Sequence, residues 1–337
     1  MFDSRAAPRH TAALARLTWR AGVPTKPSEA EILSYFEKLS NWGRWGKDDE
    51  LGTANLITAQ KRKQAIETVT EGTTISCARP IAKEAVNPGD LGQSYIHFMS
   101  NSGEKWKDVK QDEGVFQFST DFIGFNFHGH SMTHMDALSH IFWGGKGYNG
   151  FPAEMCATRE GAIVDSIAVL GSGVTTRGVL LDIPRLKGLK WLEKEPGVFP
   201  EDLEAAEAAQ GVRVQPGDLL FMRTGYLHQY VEEGAEAADV NRTGYQAACL
   251  PWLRERDIAV LGCDTAQDIV PSGYGRVMMP VHQVGIVAMG VWVIDNANLE
   301  DLAKECERLN RWEFLITVNP LRIEGATGCP VNPVAVF

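Results

Sequence analysis

The chain has 337 residues, a net charge of −10, 44% hydrophobic and 23% charged residues. That composition is ordinary for a soluble globular protein, and the length fits one large domain or two smaller ones. An acidic chain with no basic run longer than Lys61–Lys63 excludes nucleic acid and anionic membrane as expected partners, and no apolar stretch reaches the roughly 20 residues that span a bilayer.

The chain opens "MFDSRAAPRHTAALARLTWRAG", with arginines and small residues but no apolar core, so no signal peptide is expected. The first seventy or so residues read as helical. "PSEAEILSYFEKLSN" begins at Ser28 with Glu31 three residues on, a capping box, and Ile32, Leu33, Phe36 and Leu39 share one helical face. A second helix is predicted from near Thr58 to Gly72. From Thr73 onward short apolar runs appear: "VFQFSTDFIGFNF", "GVLLDI", "DLLFMRT", "IAVLGCD", "GVWVID" and "EFLITV". They read as strands, several of them buried on both faces. Helices are predicted between them at "PEDLEAAEAAQG", "TGYQAACLPWLRERD" and "NLEDLAKECERLN". The pattern is α/β: a helical N-terminal extension over residues 1–72 and one large domain over 73–337.

Six cysteines (Cys77, Cys156, Cys249, Cys263, Cys306, Cys329) stand singly, with no C-x-x-C pair. This fits a reducing cytoplasm and argues against a thiolate zinc finger. The histidines are distributed differently. Of 8 in the chain, His128, His130, His134 and His140 fall within "FHGHSMTHMDALSH", together with Asp136. Crowded imidazoles repel when protonated, and each buried ring nitrogen needs a partner. In the spacing His130-x3-His134-x-Asp136-x3-His140, an extended chain puts His134 and Asp136 on one side, while a helical turn would pair His130 with His134. Either way, two imidazoles and a carboxylate form a donor set for Zn²⁺ or Mn²⁺ with positions left open for water or substrate. His128 lies outside the spaced set and is expected to be structural or to support a ligand.

The stretch His130-Ser131-Met132-Thr133-His134-Met135-Asp136-Ala137-Leu138-Ser139-His140 resembles the H-x-G-T-H-x-D-x-P-x-H signature of the cyclase family, which includes bacterial kynurenine formamidase and isatin hydrolase. Met132 replaces its Gly and Leu138 its Pro. "PGDLLFMRTGY", "AVLGCDTAQD", "PVHQVGIVAMGVWVIDNANL" and "NPLRIEGATGCPVNPVAVF" resemble later family segments, so the likeness runs from about Thr73 to Phe337. It implies a mixed, barrel-like sheet flanked by helices, of the swivelling β/β/α type. It further implies metal ligands at His130, His134 and Asp136, a catalytic acid/base at His140, and a homodimer or homotetramer. In two-metal members Asp136 would bridge, with His282 and Asp295 as further ligands, although the family usually carries Glu at the latter position. Read by themselves, His282 also fits a substrate-facing imidazole, and Asp295 a cap for the helix starting near Asn298.

A divalent metal lowers the pKa of its water from about 15.7 towards 7 and polarises a carbonyl. With His140 as proton carrier, the expected reaction is hydrolysis of a C–N bond in an amide, cyclic amide or imide, or N-formyl arylamine. A lactone hydrolase or a cyclase/dehydratase would use the same site, and a non-catalytic metal-binding relative is the alternative from another class. Phe125, Phe127, Phe142, Trp143 and Tyr148, with Trp42 and Trp45, would favour a ring-bearing small molecule if they face the site and are core otherwise. Arg223 either binds a substrate carboxylate or pairs with a structural acid such as Asp264.

Overall fold

The computed structural model describes residues 24–81, 95–234 and 242–337. The chain enters through α1 (Glu29–Lys38), where the Ser28 hydroxyl accepts the Glu31 N–H at 3.2 Å as the capping signal predicts. The other half of the box is not made. The Glu31 carboxylate instead accepts the Tyr35 hydroxyl at 3.0 Å. In α2 (Ala59–Ile66) the Thr58 hydroxyl caps the Lys61 N–H, and the helix stops well before Gly72.

After β1 (Thr74–Ser76) come β2 (Tyr95–Asn101) and β3 (Thr120–Phe125), which pair only with each other. The predicted strand over 115–127 is thus shorter and stands in a separate ribbon. The chain continues through β4 (His134–Asp136), α3 (Ala153–Cys156), β5 (Val174–Asp182), α4 (Ile183–Lys187) and α5 (Pro200–Gln210). The next elements are β6 (Leu219–Arg223), α6 (Tyr226–Glu233), α7 (Cys249–Arg256), β7 (Val260–Cys263), α8 (Pro280–Val287) and β8 (Trp292–Asp295). Then α9 (Glu300–Leu309), β9 (Glu313–Val318), β10 (Gly328–Pro330) and β11 (Val334–Val336) complete it.

Among the described residues the main sheet has nine strands in the order β1-β11-β9-β5-β6-β7-β8-β4-β10. Strands β5 to β8 are parallel, joined by helical crossovers, and the flanking pairs are antiparallel. The sheet curls as a half-barrel flanked by helices, the mixed α/β architecture the sequence implied. The unbroken apolar runs have a direct cause. On β5 and β6, Leu180, Leu219 and Phe221 pack into one core, whereas Val179, Leu181, Leu220 and Met222 pack into a second on the opposite face. Parallel strands covered on both sides need apolar residues at every position. The N-terminal segment contributes to both cores, Ile57 to the first and Ile32 and Tyr35 to the second.

Candidate metal centre

Strand β4 is three residues long, and it is extended, so His134 and Asp136 point to the same face. β4 is paired on both sides. Its register with β8 sets His134 opposite Asp295, and its register with β10 sets Asp136 opposite Gly328. Directly opposed residues on one face have Cβ atoms about 4.5–5.5 Å apart. Register alone therefore brings Asp295 to the histidine motif from a remote part of the chain. Gly328 keeps the other side open: a Cβ there would lie 2.9 Å from the Phe127 ring and 3.0 Å from the His128 ring.

His282 arrives in the first turn of α8. That helix has no cap of its own at Met279. Asp268 supplies it from the loop after β7, accepting the N–H groups of Val281 (2.7 Å) and His282 (3.1 Å). The same carboxylate accepts His282 Nδ1–H at 2.7 Å. A carboxylate can only accept, so the proton sits on Nδ1 and Nε2 turns inward. His134 is fixed in the same way, because its Nδ1 donates to the Met132 carbonyl at 3.0 Å.

The inward atoms converge. His134 Nε2 lies 3.4 Å and His128 Nδ1 3.0 Å from Asp136 Oδ1. His282 Nε2 lies 3.7 Å from Asp136 Oδ2 and 3.3 Å from Asp295 Oδ2. The other Asp295 oxygen accepts from Gln267 Nε2 at 3.0 Å. Two triads of mutually close ligand atoms result, His128–His134–Asp136 and Asp136–His282–Asp295, with Asp136 in both. Asp136 is 1% exposed, yet neither of its oxygens has a hydrogen-bond partner of acceptable geometry. A buried carboxylate without hydrogen bonds is costly unless a cation pairs with it. Imidazole nitrogens and carboxylate oxygens aimed at common points fit a divalent metal.

The charges respond accordingly. Burial pushes the Asp136 carboxyl up, but His140 and His134 outweigh it and hold it well below the usual carboxylate range. Burial also opposes charge on His282, but the nearby carboxylates of Asp295, Asp136 and Asp268 raise it well above an ordinary histidine. His140 goes the other way, lowered by burial to about 4 against the pull of Asp136. Its ring stacks flat on His128, centroids 3.9 Å apart and planes within 2°.

The structure brings His134, Asp136, His282 and Asp295 together, with His140 alongside. It differs over His128 and His130. His128 occupies the position expected of His130, whose ring lines a neighbouring cavity instead. Gly129 between them has φ +152°, a conformation side-chain-bearing residues rarely adopt, and it turns the chain there. Asn296 pins this turn by donating to the carbonyls of Gly129 (2.8 Å) and Met132 (3.2 Å). Asp295 is not a helix cap; it ends β8, and the N-cap position of α9 belongs to Leu299, with the Asn298 side chain before it accepting the Glu300 N–H.

Arg223 takes the structural one of its two expected roles, with other acids than Asp264. Arg223 pairs with Asp182 (3.0 Å) and Glu300 (2.9 Å), not Asp264. Asp264 instead accepts from the Thr224 and Gly225 backbone. Of the aromatic residues, Phe127 packs on His128 with centroids 4.4 Å apart. Tyr148 is wholly buried and donates to Asp49, Trp143 stacks on Phe36, and Trp42 donates to the Val287 carbonyl. All six cysteines are buried and unpaired. No helix among the described residues is long and apolar enough to cross a membrane.

The family model described as "Putative cyclase" matches residues 90–267. A crystal structure described as a novel cyclase is 33% identical, with TM-score 0.80, covering 89% of this chain and 100% of that one. Isatin hydrolase A from Labrenzia aggregata, bound to benzyl benzoate, is 16% identical with TM-score 0.55, covering 81% of this chain and 97% of that one. An isatin hydrolase bound to the product analogue thioisatinate is 15% identical with TM-score 0.58, covering 83% and 99%. These two share the fold. No curated protein matches the chain at a significant level. The family match, the 33% identity and the conserved architecture together make this chain a member of the cyclase family.

Proposed function

We propose that the chain is a metal-dependent hydrolase that cleaves a C–N bond in an amide, a cyclic amide or imide, or an N-formyl arylamine. The observation that carries the reading is the unpartnered, buried Asp136 carboxylate ringed by imidazoles. The isatin hydrolases among the similar structures support hydrolysis as the reaction type. His134, Asp136, His282 and Asp295 would hold Zn²⁺ or Mn²⁺, completed by His128 or, after a change at the Gly129 turn, by His130. With Asp136 in both triads, these residues would hold one ion or two. When bound, the metal supplies a nucleophilic water at neutral pH and a Lewis acid for the carbonyl oxygen.

The chain's own residues do the rest. Asp268 and the Met132 carbonyl fix the tautomers of His282 and His134, so the binding nitrogens stay aimed inward. His140 is kept neutral by burial and is therefore a base at physiological pH. A ring nitrogen of His140 takes the proton of the attacking water and returns it to the leaving nitrogen. Stacking on His128 holds the ring in place for both transfers.

The test is turnover by Zn²⁺- or Mn²⁺-loaded protein on a panel of cyclic amides, imides, N-formyl arylamines and lactones. Hydrolysis of a nitrogen-containing class, abolished by chelation and restored by metal, is the expected result. Turnover of lactones alone would reassign the bond cleaved. No turnover of any class by fully loaded protein would contradict the reading.

A further inference from the structure

The β2–β3 ribbon pairs with no other strand among the described residues. A two-stranded ribbon by itself is marginally stable at best in water and needs a packed face. Here both faces are apolar and open. The register sets Phe98 opposite Phe122 and Ile96 opposite Gly124 on one face, and His97 opposite Ile123 and Tyr95 opposite Phe125 on the other. Phe98 and Phe122 are 52% and 49% exposed on the first face, and Ile123 is 50% exposed on the second. Phe116 and Phe118, in the connection between the strands, are exposed as well. Of the 19 large apolar side chains exposed among the described residues, 9 lie between residues 95 and 125, so this is one coherent feature and not scattered surface apolarity.

The ribbon is held in this shape by its own rings. Phe98 stacks on Phe122 with centroids 5.1 Å apart, and Tyr95 lies 6.0 Å from Phe125. Phe116 stacks on Phe118 at 5.4 Å, and the Trp106 indole donates to the Phe118 carbonyl at 3.0 Å. Such cross-strand pairs bind the two strands to each other and leave the outer ring faces bare. An aromatic side chain can bury roughly 150–250 Å², so these half-open residues present on the order of 800 Å² of apolar surface. Monomers rarely expose more than a few hundred Å² in one patch, and a standard interface buries about 800 Å² per partner. The ribbon thus offers one partner's whole share.

Charge narrows the occupant. Segments 95–101 and 115–125 carry one acid, Asp121, which faces His97 at 3.4 Å, and no Lys or Arg. They give nucleic acid or an anionic membrane nothing to bind. Two copies of a chain of net charge −10 repel each other except where they meet on an uncharged face, and the ribbon is such a face. An apolar area of this size also needs cover at all times, and a second copy is present whenever the chain is.

We propose that the β2–β3 ribbon is a self-association arm, seated against a second copy of this chain with both of its faces covered. β3 leads through Phe127 to His128, so the arm is rooted at the metal centre. Self-association through it is independent of the bond the protein cleaves.

The experiment is sedimentation velocity over a dilution series, on the wild type, on Phe98→Asp for one face, on Ile123→Asp for the other, and on the two combined. Val231→Asp, at an exposed apolar position on α6, is the control. The wild type should sediment at twice the chain mass or a higher multiple at micromolar concentration. Each ribbon variant should raise the dissociation constant about 30-fold or more, the combined variant should be a monomer, and Val231→Asp should match the wild type. Circular dichroism checks that each variant is folded. Should either fail to fold, Phe98→Ala and Ile123→Ala, which add no charge, carry the test with a loss of about tenfold each. A monomeric wild type would overturn the arm, leaving residues 1–23 of the same chain or a partner of different sequence as its cover. Association unchanged by a substitution on either face, or weakened as much by Val231→Asp, would overturn it too.

Discussion

Asp268 accepts the Nδ1–H of His282 at 2.7 Å, so the helix that carries His282 and the ring's own tautomer are set by one carboxylate. Metal-ligating imidazoles are commonly oriented in this way, and losing the partner typically costs 10–100-fold in metal affinity. Asp268→Asn should therefore weaken metal binding by about that factor without removing a ligand. Competition against a chelator of known affinity measures it. Unchanged affinity would mean that the His282 ring is held by its surroundings and not by Asp268.

His140 takes part in neither triad, and the proposed function gives it the proton transfer. His140→Ala should lower kcat by roughly 10²–10⁴-fold, the usual contribution of a general acid/base, with metal content unchanged. Steady-state kinetics and elemental analysis on the same preparation separate the two effects. Loss of metal together with activity would make His140 a ligand.

The exchange of His128 and His130 has its own test. With the geometry described here, His128→Ala should lower metal affinity, while His130→Ala should leave it near the wild-type value. The opposite result would show that the turn at Gly129 rearranges when metal binds, delivering His130 to the position the family signature implies. Chelator competition on both variants decides between them.

The motif's chemistry was legible because four histidines and an aspartate crowd one stretch, a composition with little structural use. The strands were legible too, since covering both faces of β5 and β6 forces uninterrupted apolar runs. Which imidazole joins the centre was not legible. That depends on one backbone dihedral at Gly129, and residue spacing carries no record of it. Asp268 was also missed as the partner of His282, because the contact joins a loop after β7 to the first turn of α8. The placement of Asp295 opposite His134 comes from β4–β8 register, a property of the folded sheet. Arg223 illustrates the converse: a strand-end arginine looks functional in sequence, yet here it ties β6 to Asp182 and Glu300.

Asp165 tests the energetics away from the centre. It is wholly buried, its carboxylate oxygens lack partners, and burial, then Glu50 and Asp49, push it up to about 8. Its folded pKa exceeds the unfolded value of about 3.9, so folding favours the protonated form. The penalty is absent below the unfolded pKa, grows as pH rises between the two values, and is complete above about 8. Asp165→Asn removes that penalty, and asparagine tolerates the positive φ of 58° at this position. The variant should match the wild type near pH 4 and exceed its stability by roughly 2–5 kcal/mol near pH 8. Denaturant melts across that range give the curve. A difference independent of pH would mean that Asp165 stays ionised in the fold.

The central claim is that Asp136 and its surrounding imidazoles exist to hold a divalent metal. The most direct measurement is metal content per chain, by elemental analysis of protein reconstituted with Zn²⁺ or Mn²⁺ and then desalted, for the wild type and for Asp136→Ala. One or two equivalents in the wild type, lost in a variant that remains folded, is the predicted result. A wild type that retains no metal after reconstitution, or an Asp136→Ala variant that retains as much as the wild type, would contradict it.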